Sequence, residues 1–219
     1  MINQSKEDYL KAILKLGGCT KGVSTSALAR HLGIGDGSVT DMVKKLAARD
    51  LIVYVPYQGV SLTGVGSKLA IKMMRRHRLW EIFLTEHLGY AWDEVHDEAE
   101  NLEHATSDEL EARLSEMLGN PDTDPHGQPV PAPDGTMTAP EGRPLSEFKP
   151  GDRVKITRVS DDDSAILQHA TVLGLSLKTK ITIREKRAFD GSLVVMIGKN
   201  ERFISREVGN SIYAEITAG

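Results

Sequence analysis

Four residues with metal-binding side chains lie close together near the middle of the chain. Within the segment VHDEAENLEHA they are His96, Glu100, Glu103 and His104. On a helix that turns about 100° per residue, these side chains emerge within an arc of about 100°. Imidazole and carboxylate groups suit a first-row divalent metal, so the spacing favours a cation site. An exposed acidic helix face with incidental histidines is the alternative interpretation.

A second pair, His77 and Glu81, has the i, i+4 spacing on an earlier helical segment. Two facing helices that carry these residues would assemble a site of nitrogen and oxygen ligands. The single cysteine, Cys19, excludes an internal disulfide and a cysteine-based zinc site. A metallohydrolase is a second alternative, but the chain has no HExxH motif and no acidic cluster that clearly supplies a general base. We therefore predict that the protein is not an enzyme.

Composition indicates an ordinary globular protein. The chain has 219 residues, of which 40% are hydrophobic and 26% are charged, enough for one large domain or two to three small ones. No apolar run approaches the roughly 18 residues of a membrane span, and the start MINQSKEDYL lacks a signal-peptide pattern. We expect a cytoplasmic protein.

Charge is distributed unevenly along the chain. Residues 1–89 contain 13 basic and 7 acidic residues, whereas residues 90–150 contain 3 basic and 15 acidic residues. Residues 151–219 are nearly balanced, with 11 basic and 9 acidic residues. A basic segment followed by an acidic one fits a nucleic-acid-binding module joined to a cation-binding module, although an uneven solvated surface would look the same.

The first 64 residues predict a winged helix-turn-helix. Ser5 and Asp8 form a helix start signal, with Asp8 as the acidic member of a capping box, and Gly17-Gly18 ends this helix. A short helix from Ser24 or Ser26 to Leu32, the glycine-rich turn 33–37 and a helix from Ser38 complete the helix-turn-helix. The segments 51–55 and 60–63 then predict a hairpin with its turn near Gly59.

The start of the third helix is the candidate DNA-reading surface. Ser38, Thr40 and Asp41 would face base edges in the major groove. Lys44, Lys45 and Tyr57 would approach phosphates. Helix pairs with a glycine turn also occur in proteins that never bind DNA, so the added hairpin and the basic charge carry this interpretation.

The remainder of the chain predicts helices, a connector and strands. Helices are expected from Gly64 to about His87, from Trp92 or Asp93 past His104, and from about Ser107 to Leu118. Residues 119–149 hold most of the prolines and are interpreted as a linker or an extended surface segment. Apolar runs at 154–159, 180–184, 192–197 and 202–204 predict a small β-barrel, so the fold class is mainly α with a small β-barrel domain.

Three longer runs resemble a known family. MMRRHRLWEIFL, WDEVHDEAENLEHATSDELEARL and GNPDTDPHGQPVP are similar to the diphtheria toxin repressor family of iron- and manganese-dependent transcriptional repressors. The resemblance implies a winged helix-turn-helix at 1–64, a helical dimerisation and metal-binding domain at 65–120, a Pro-rich linker at 121–146 and an SH3-like domain at 147–219. It also implies a homodimer that binds palindromic double-stranded DNA when a divalent metal is present. A winged-helix regulator that senses an organic ligand remains an alternative, and would need an apolar pocket.

The resemblance also implies two metal sites. The primary, activating site would consist of Asp8, Glu100, Glu103 and His104, which replaces the capping interpretation of Asp8. The ancillary site would consist of His77, Glu81, His96 and Asp163, with Asp161 and Asp162 as alternatives to Asp163.

The expected metal follows from the residue types at the primary site. Iron-sensing members typically have Met and Cys where this chain has Asp8 and Glu100, and three carboxylates with one imidazole form a hard ligand set. We expect Mn(II) as the main metal and Fe(II) as a weaker or conditional one. Short manganese-sensing members carry a further Glu where this chain has Lys11, so we expect a single ion in the primary site.

Overall fold

The computed structural model describes residues 4–217, which form two compact units. The first unit contains the described residues up to His77, together with Glu100–Arg113 and Pro131–Met137. The second contains Arg78–Ala99, Leu114–Val130 and the described residues from Thr138 onwards. Within residues 4–217, no helix is both long enough and apolar enough to span a membrane.

The first unit begins with three helices and a hairpin, as the sequence predicts. The helices are α1 (Gln4–Lys15), α2 (Thr25–Leu32) and α3 (Asp36–Ala47), and the antiparallel strands are β1 (Ile52–Val55) and β2 (Gly59–Leu62). The Ser24 side chain caps α2, and Gly33 ends it with φ 66°. The apolar faces of all three helices share one core, which includes Leu10, Leu28 and Val43.

Two predicted helix starts differ from the structure. Helix α1 is already formed at Gln4, so Ser5 lies inside the helix and is not its cap. Helix α3 begins at Asp36, two residues before Ser38, with Gly35 in the cap position.

Three longer helices follow: α4 (Gly64–Leu88), α5 (Val95–Ala105) and α6 (Asp108–Met117). Thr63 precedes α4, and its hydroxyl accepts from the Gly66 backbone N at 3.1 Å and donates to the Asp50 carbonyl at 2.7 Å. Gly66 is buried, and a side chain there would clash with the Leu51 carbonyl. The first turn of α4 is therefore fixed to the start of the hairpin.

The second unit contains a six-stranded antiparallel sheet. Its strands are β3 (Arg143–Pro144), β4 (Arg153–Val159), β5 (Lys180–Lys186), β6 (Leu193–Ile197), β7 (Asn200–Ile204) and β8 (Ile212–Ile216), in the order β3-β8-β4-β5-β6-β7. Helices α7 (Ser164–Leu173) and α8 (Arg206–Ser211) accompany the sheet, whose core includes Phe148, Ile156 and Ile181. Among the described residues, the end strands β3 and β7 do not pair with each other.

The proline-rich segment at 121–146 is more structured than a linker. Thr123 and Pro129 form a β-bridge, and the side chains of Asp124 and His126 are buried. Two arginines of α4 donate hydrogen bonds to the backbone of this segment. In the second unit Arg78 donates to the Pro129 carbonyl, and in the first unit Arg75 donates to the Pro131 carbonyl at 2.6 Å. This part of the segment is therefore packed and hydrogen-bonded, because its carbonyls accept hydrogen bonds from buried arginine side chains that need such partners.

Candidate metal centres

The first candidate centre joins α1 to α5 within the first unit. One ligand atom from each residue lies within 4.8 Å of all the others in a set that we call the α1–α5 cluster, made of Asp8, Glu100, Glu103 and His104. The α5 residues share one helix face because of their three- and four-residue spacing. The structure thus brings together all four residues of the predicted primary site.

The imidazole of His104 is oriented between two carboxylates. Its Nδ1 lies 2.7 Å from Oε2 of Glu7, and its Nε2 lies 2.9 Å from Oδ1 of Asp8. When Nδ1 donates its proton to Glu7, the neutral ring directs the lone pair of Nε2 towards Asp8. Among the described residues, neither His104 Nε2 nor Asp8 Oδ1 has a hydrogen-bond partner. A cation between these two atoms would satisfy both, so the ligand set fits a divalent metal.

The fully buried Glu103 binds two nitrogen groups. Its Oε1 lies 2.6 Å from Nζ of Lys11, and its Oε2 lies 2.6 Å from Nδ1 of His77. The Lys11 ammonium also lies 2.5 Å from Oε2 of Glu100. His77, predicted as an ancillary ligand, is therefore a hydrogen-bond partner of the α1–α5 cluster within this unit.

Burial affects the protonation of Asp8. Burial raises the pKa of this carboxyl above its ordinary value, and the neighbouring His104 partly opposes the increase. A bound cation would favour the charged carboxylate and lower the pKa again.

A second candidate centre lies in the second unit and is built around Glu81 of α4. Glu81, His96 and Asp161 present ligand atoms within 4.8 Å of one another, and Glu81, Asp124 and His126 do the same. We call these five residues the Glu81 cluster. Asp163 caps α7, since its Oδ1 accepts from the Ala165 backbone N at 2.9 Å. Of the three aspartates predicted as possible ligands, Asp161 is the one whose carboxylate lies close to Glu81 and His96.

Glu81, Asp124 and His126 form the buried part of the Glu81 cluster. His126 Nε2 lies 2.6 Å from the Trp92 carbonyl, which can only accept, so Nε2 carries a proton, and in the neutral ring Nδ1 presents its lone pair. Nδ1 lies 3.9 Å from Glu81 Oε2 and from Asp124 Oδ1, and has no hydrogen-bond partner among the described residues. Burial, reinforced by the Glu81 charge, raises the pKa of Asp124 to about 7. Two carboxylates and an imidazole nitrogen enclosed in this way fit a cation.

An acidic cavity borders the Glu81 cluster. Its volume is about 250 Å³, and its lining includes His96, His126 and five carboxylates, those of Asp93, Glu94, Asp97, Asp161 and Asp162. The dense negative charge of this lining attracts cations. The cavity itself connects the buried candidate ligands to solvent.

Five of the six predicted DNA-contacting residues are exposed on α3 and the hairpin. Ser38, Asp41, Lys44 and Lys45 are exposed, opposite the buried Val39, Val43 and Leu46. Thr40 is half-buried and donates its hydroxyl proton to the Asp36 carbonyl at 2.9 Å. Tyr57 is fully exposed in the hairpin turn, with φ 66°.

Sequence reasoning did not identify Glu7, Asp124 or His126. Glu7 is next to Asp8, and helical spacing alone does not show that it would reach His104. Asp124 and His126 occur in the run DTDPH, whose acidic and imidazole groups were a usable signal, but the proline content of this segment favoured a linker.

Comparison with known proteins identifies three family domains along the chain. Residues 1–60 match the iron-dependent repressor N-terminal DNA-binding domain, residues 63–132 match the iron-dependent repressor metal-binding and dimerisation domain, and residues 143–216 match the FeoA domain. The iron-dependent repressor IdeR of Mycobacterium leprae is 28% identical over 224 residues, covering 95% of this chain and 96% of that protein. The diphtheria toxin repressor of Corynebacterium glutamicum is 30% identical over 190 residues, covering 81% of this chain and 82% of that protein.

Solved structures show the same likeness. A manganese-dependent transcriptional repressor in complex with manganese superposes with a TM-score of 0.89 at 37% identity, covering 97% of this chain and 100% of that chain. The manganese regulator SloR superposes with a TM-score of 0.82 at 32% identity, covering 97% and 98%. The chain therefore belongs to the diphtheria toxin repressor family of metal-dependent transcriptional repressors.

Proposed function

We propose that this protein is a Mn(II)-activated repressor that binds palindromic double-stranded DNA as a homodimer, with Fe(II) as a conditional second metal. The observation that carries the proposal is the α1–α5 cluster, in which Asp8 on a helix of the DNA-binding domain meets three ligands on α5. The match to a metal-binding and dimerisation domain supports the dimer. The similarity to a manganese-dependent repressor in complex with manganese supports the choice of metal.

The donor types favour manganese over softer metals. Asp8, Glu100, Glu103 and His104 would hold the activating ion with three carboxylates and one imidazole, a hard set. The cluster contains no thiolate ligand. Cys19, the only thiol in the sequence, is exposed and lies 3.4 Å from the Ser67 hydroxyl. Because most such sites bind later divalent metals more tightly, selectivity would come from coordination geometry and metal availability.

Metal binding would act on DNA binding through α1. Tyr9, Leu10 and Ile13 of α1 pack in the same core as Val39 and Val43 of α3. An ion that joins Asp8 to α5 therefore restrains the helix against which α3 packs. By linkage, DNA binding would tighten metal binding by the same factor.

The DNA contacts would come from α3 and the hairpin. We propose that Ser38, Thr40 and Asp41 contact base edges and that Lys44, Lys45 and Tyr57 contact phosphates. Their exposure supports this assignment, except that Thr40 is half-buried.

The Glu81 cluster is proposed as the ancillary cation site. Its ligands come from α4, from α5, from the segment 121–146 and, through Asp161, from the loop after β4. We further propose that the sheet domain at 147–219 has an SH3-like fold, supported by the FeoA match.

DNA binding by the Glu103→Gln variant tests the proposed function. Palindromic DNA selected from a random library with the Mn(II)-loaded wild type is labelled, and binding is measured by fluorescence polarisation with Mn(II), with anaerobic Fe(II) and with chelator. Loss of a buried ligand should weaken metal-dependent DNA binding at least tenfold, and chelator should do the same to the wild type. Glu109→Gln, at an exposed residue paired with Arg113, is the control. Equal DNA binding by the chelated and metal-loaded wild type would overturn the proposal.

A further inference from the structure

A lysine side chain is buried inside the α1–α5 cluster. Lys11 is only 6% exposed, and its ammonium lies 2.5 Å from Glu100 Oε2 and 2.6 Å from Glu103 Oε1. Buried lysines are rare unless they are paired with an opposite charge. Two of the four metal-ligating residues therefore already bind a cation that belongs to the protein.

The oxygen of Glu103 that binds Lys11 is also the one that faces the metal position. Glu103 Oε2 is held by His77 Nδ1 at 2.6 Å, so this oxygen already has a nitrogen partner. Glu103 Oε1 lies 3.6 Å from His104 Nε2 and 2.6 Å from Lys11 Nζ. An ion bound by His104 and Glu103 would use the same oxygen as the ammonium group.

The charges of the cluster show whether Lys11 strengthens or weakens the binding of a divalent cation. Asp8, Glu100 and Glu103 carry three negative charges when ionised, and the Lys11 ammonium reduces the sum to two. A divalent cation that approaches the cluster is repelled by this ammonium at short range and in a poorly solvated environment, where charge interactions are strong. Without metal, the same ammonium offsets the repulsion between the two glutamates.

We propose that Lys11 is an internal competitor of the metal, which lowers the metal affinity of the α1–α5 cluster and so sets the metal concentration at which the protein is activated. This inference rests on the proposed function of the cluster. It makes two opposite predictions for removal of the Lys11 charge: metal binds more tightly, and the metal-free protein becomes less stable.

The test compares three substitutions on α1 in the full-length chain. Lys11→Met removes the charge and keeps the unbranched stem, whereas Lys11→Arg keeps a cation that can bind both carboxylates. Lys6→Met, elsewhere on the same helix, is the matched control. Mn(II) affinity is measured by competition with a fluorescent chelator, and the melting temperature is measured in excess chelator. A titration of the Glu103→Gln variant shows which Mn(II)-binding step belongs to the α1–α5 cluster, because that step should be lost in this variant.

Lys11→Met should lower the Mn(II) Kd at least tenfold, which corresponds to about 1.4 kcal/mol, and should lower the melting temperature of the metal-free protein. Lys11→Arg should bind Mn(II) no more tightly than the wild type, and Lys6→Met should match the wild type in both measurements. If Lys11→Met does not fold, Lys11→Gln is used with the same expectation.

Two failures are distinguishable. If the wild type binds Mn(II) at this cluster but the neutral variant binds it equally or more weakly, the competitor role is wrong and the proposed function stands. If the wild type and Glu103→Gln bind Mn(II) identically, the cluster is not a metal site and both proposals are wrong.

Discussion

Two histidines in this chain have one ring nitrogen fixed by a hydrogen bond and the other directed at carboxylates. His104 is fixed by Glu7 at 2.7 Å, and His126 is fixed by the Trp92 carbonyl at 2.6 Å. A fixed tautomer orients the free nitrogen, which is how partners of metal ligands act in general. The side chain of Glu7 and the backbone of Trp92 thus contribute to the candidate centres by orienting candidate ligands.

The raised pKa of Asp124 predicts the pH dependence of stability in the metal-free protein. The folded protein retains this proton up to a pKa of about 7, whereas the unfolded chain loses it near the ordinary aspartate pKa of 3.8. Between these pH values the folded state binds more protons, so the free energy of unfolding should fall as pH rises. Asp124→Asn should flatten this dependence in urea unfolding with chelator at several pH values between 4 and 8. The exposed Asp122→Asn is the control, and an unchanged slope in Asp124→Asn would contradict the assignment.

The sequence predicted the two centres to different extents. The four residues of the α1–α5 cluster were predicted by family resemblance, and the structure brings them together. Asp161, the aspartate that lies close to Glu81 and His96, was named only as an alternative, because three consecutive aspartates look alike in sequence. Asp124 and His126 were missed, because their burial depends on contacts with Arg78 and Trp92, which lie more than 30 residues away in the chain.

Among the secondary-structure elements, periodicity predicted several helices well. Helices α2, α4 and α6 begin and end within a few residues of the predictions, since each has an apolar stripe and end signals. The sequence pattern did not predict β3 or β8. Strand β3 has only two residues, and β8 is recognised by its pairing with other strands. Helix α7 was also missed, although Asp163 at its start and Gly174 at its end are ordinary capping signals.

Helix α3 is the element whose exposed lysines should contribute non-specific DNA affinity. Lys44→Ala or Lys45→Ala should weaken binding to all DNA sequences similarly, because phosphates carry no sequence information. Each lost phosphate contact should reduce the salt dependence of log K by about 0.9. Polarisation titrations at several salt concentrations measure this slope, with Lys199→Ala in the exposed β6–β7 turn as the control. A slope equal to that of the wild type in both variants would place the phosphate contacts elsewhere.

At the scale of the whole molecule, each compact unit contains its own candidate metal centre. The α1–α5 cluster lies in the first unit, and the Glu81 cluster lies in the second. The ligands of the two clusters are different residues, so each site can be removed by a substitution that leaves the other ligand set complete.

Two classes of metal site are therefore expected in calorimetric titration of the full-length protein with Mn(II). Glu103→Gln should abolish one class and Glu81→Gln the other, because each substitution removes a buried carboxylate ligand. Glu116→Gln, at an exposed position on α6, should retain both classes. Loss of both classes in either ligand variant would show that the two centres are not independent.

The junction between the hairpin and α4 has a consequence for genetics. Gly66 is buried against the Leu51 carbonyl, and Thr63 joins the same turn to Asp50. Neither residue is a candidate ligand or a DNA contact, yet substitutions there would displace the hairpin from α4. Alleles that cause loss of repression will therefore map to Gly66 as well as to Glu103, so a mutant phenotype marks scaffold residues together with candidate metal ligands.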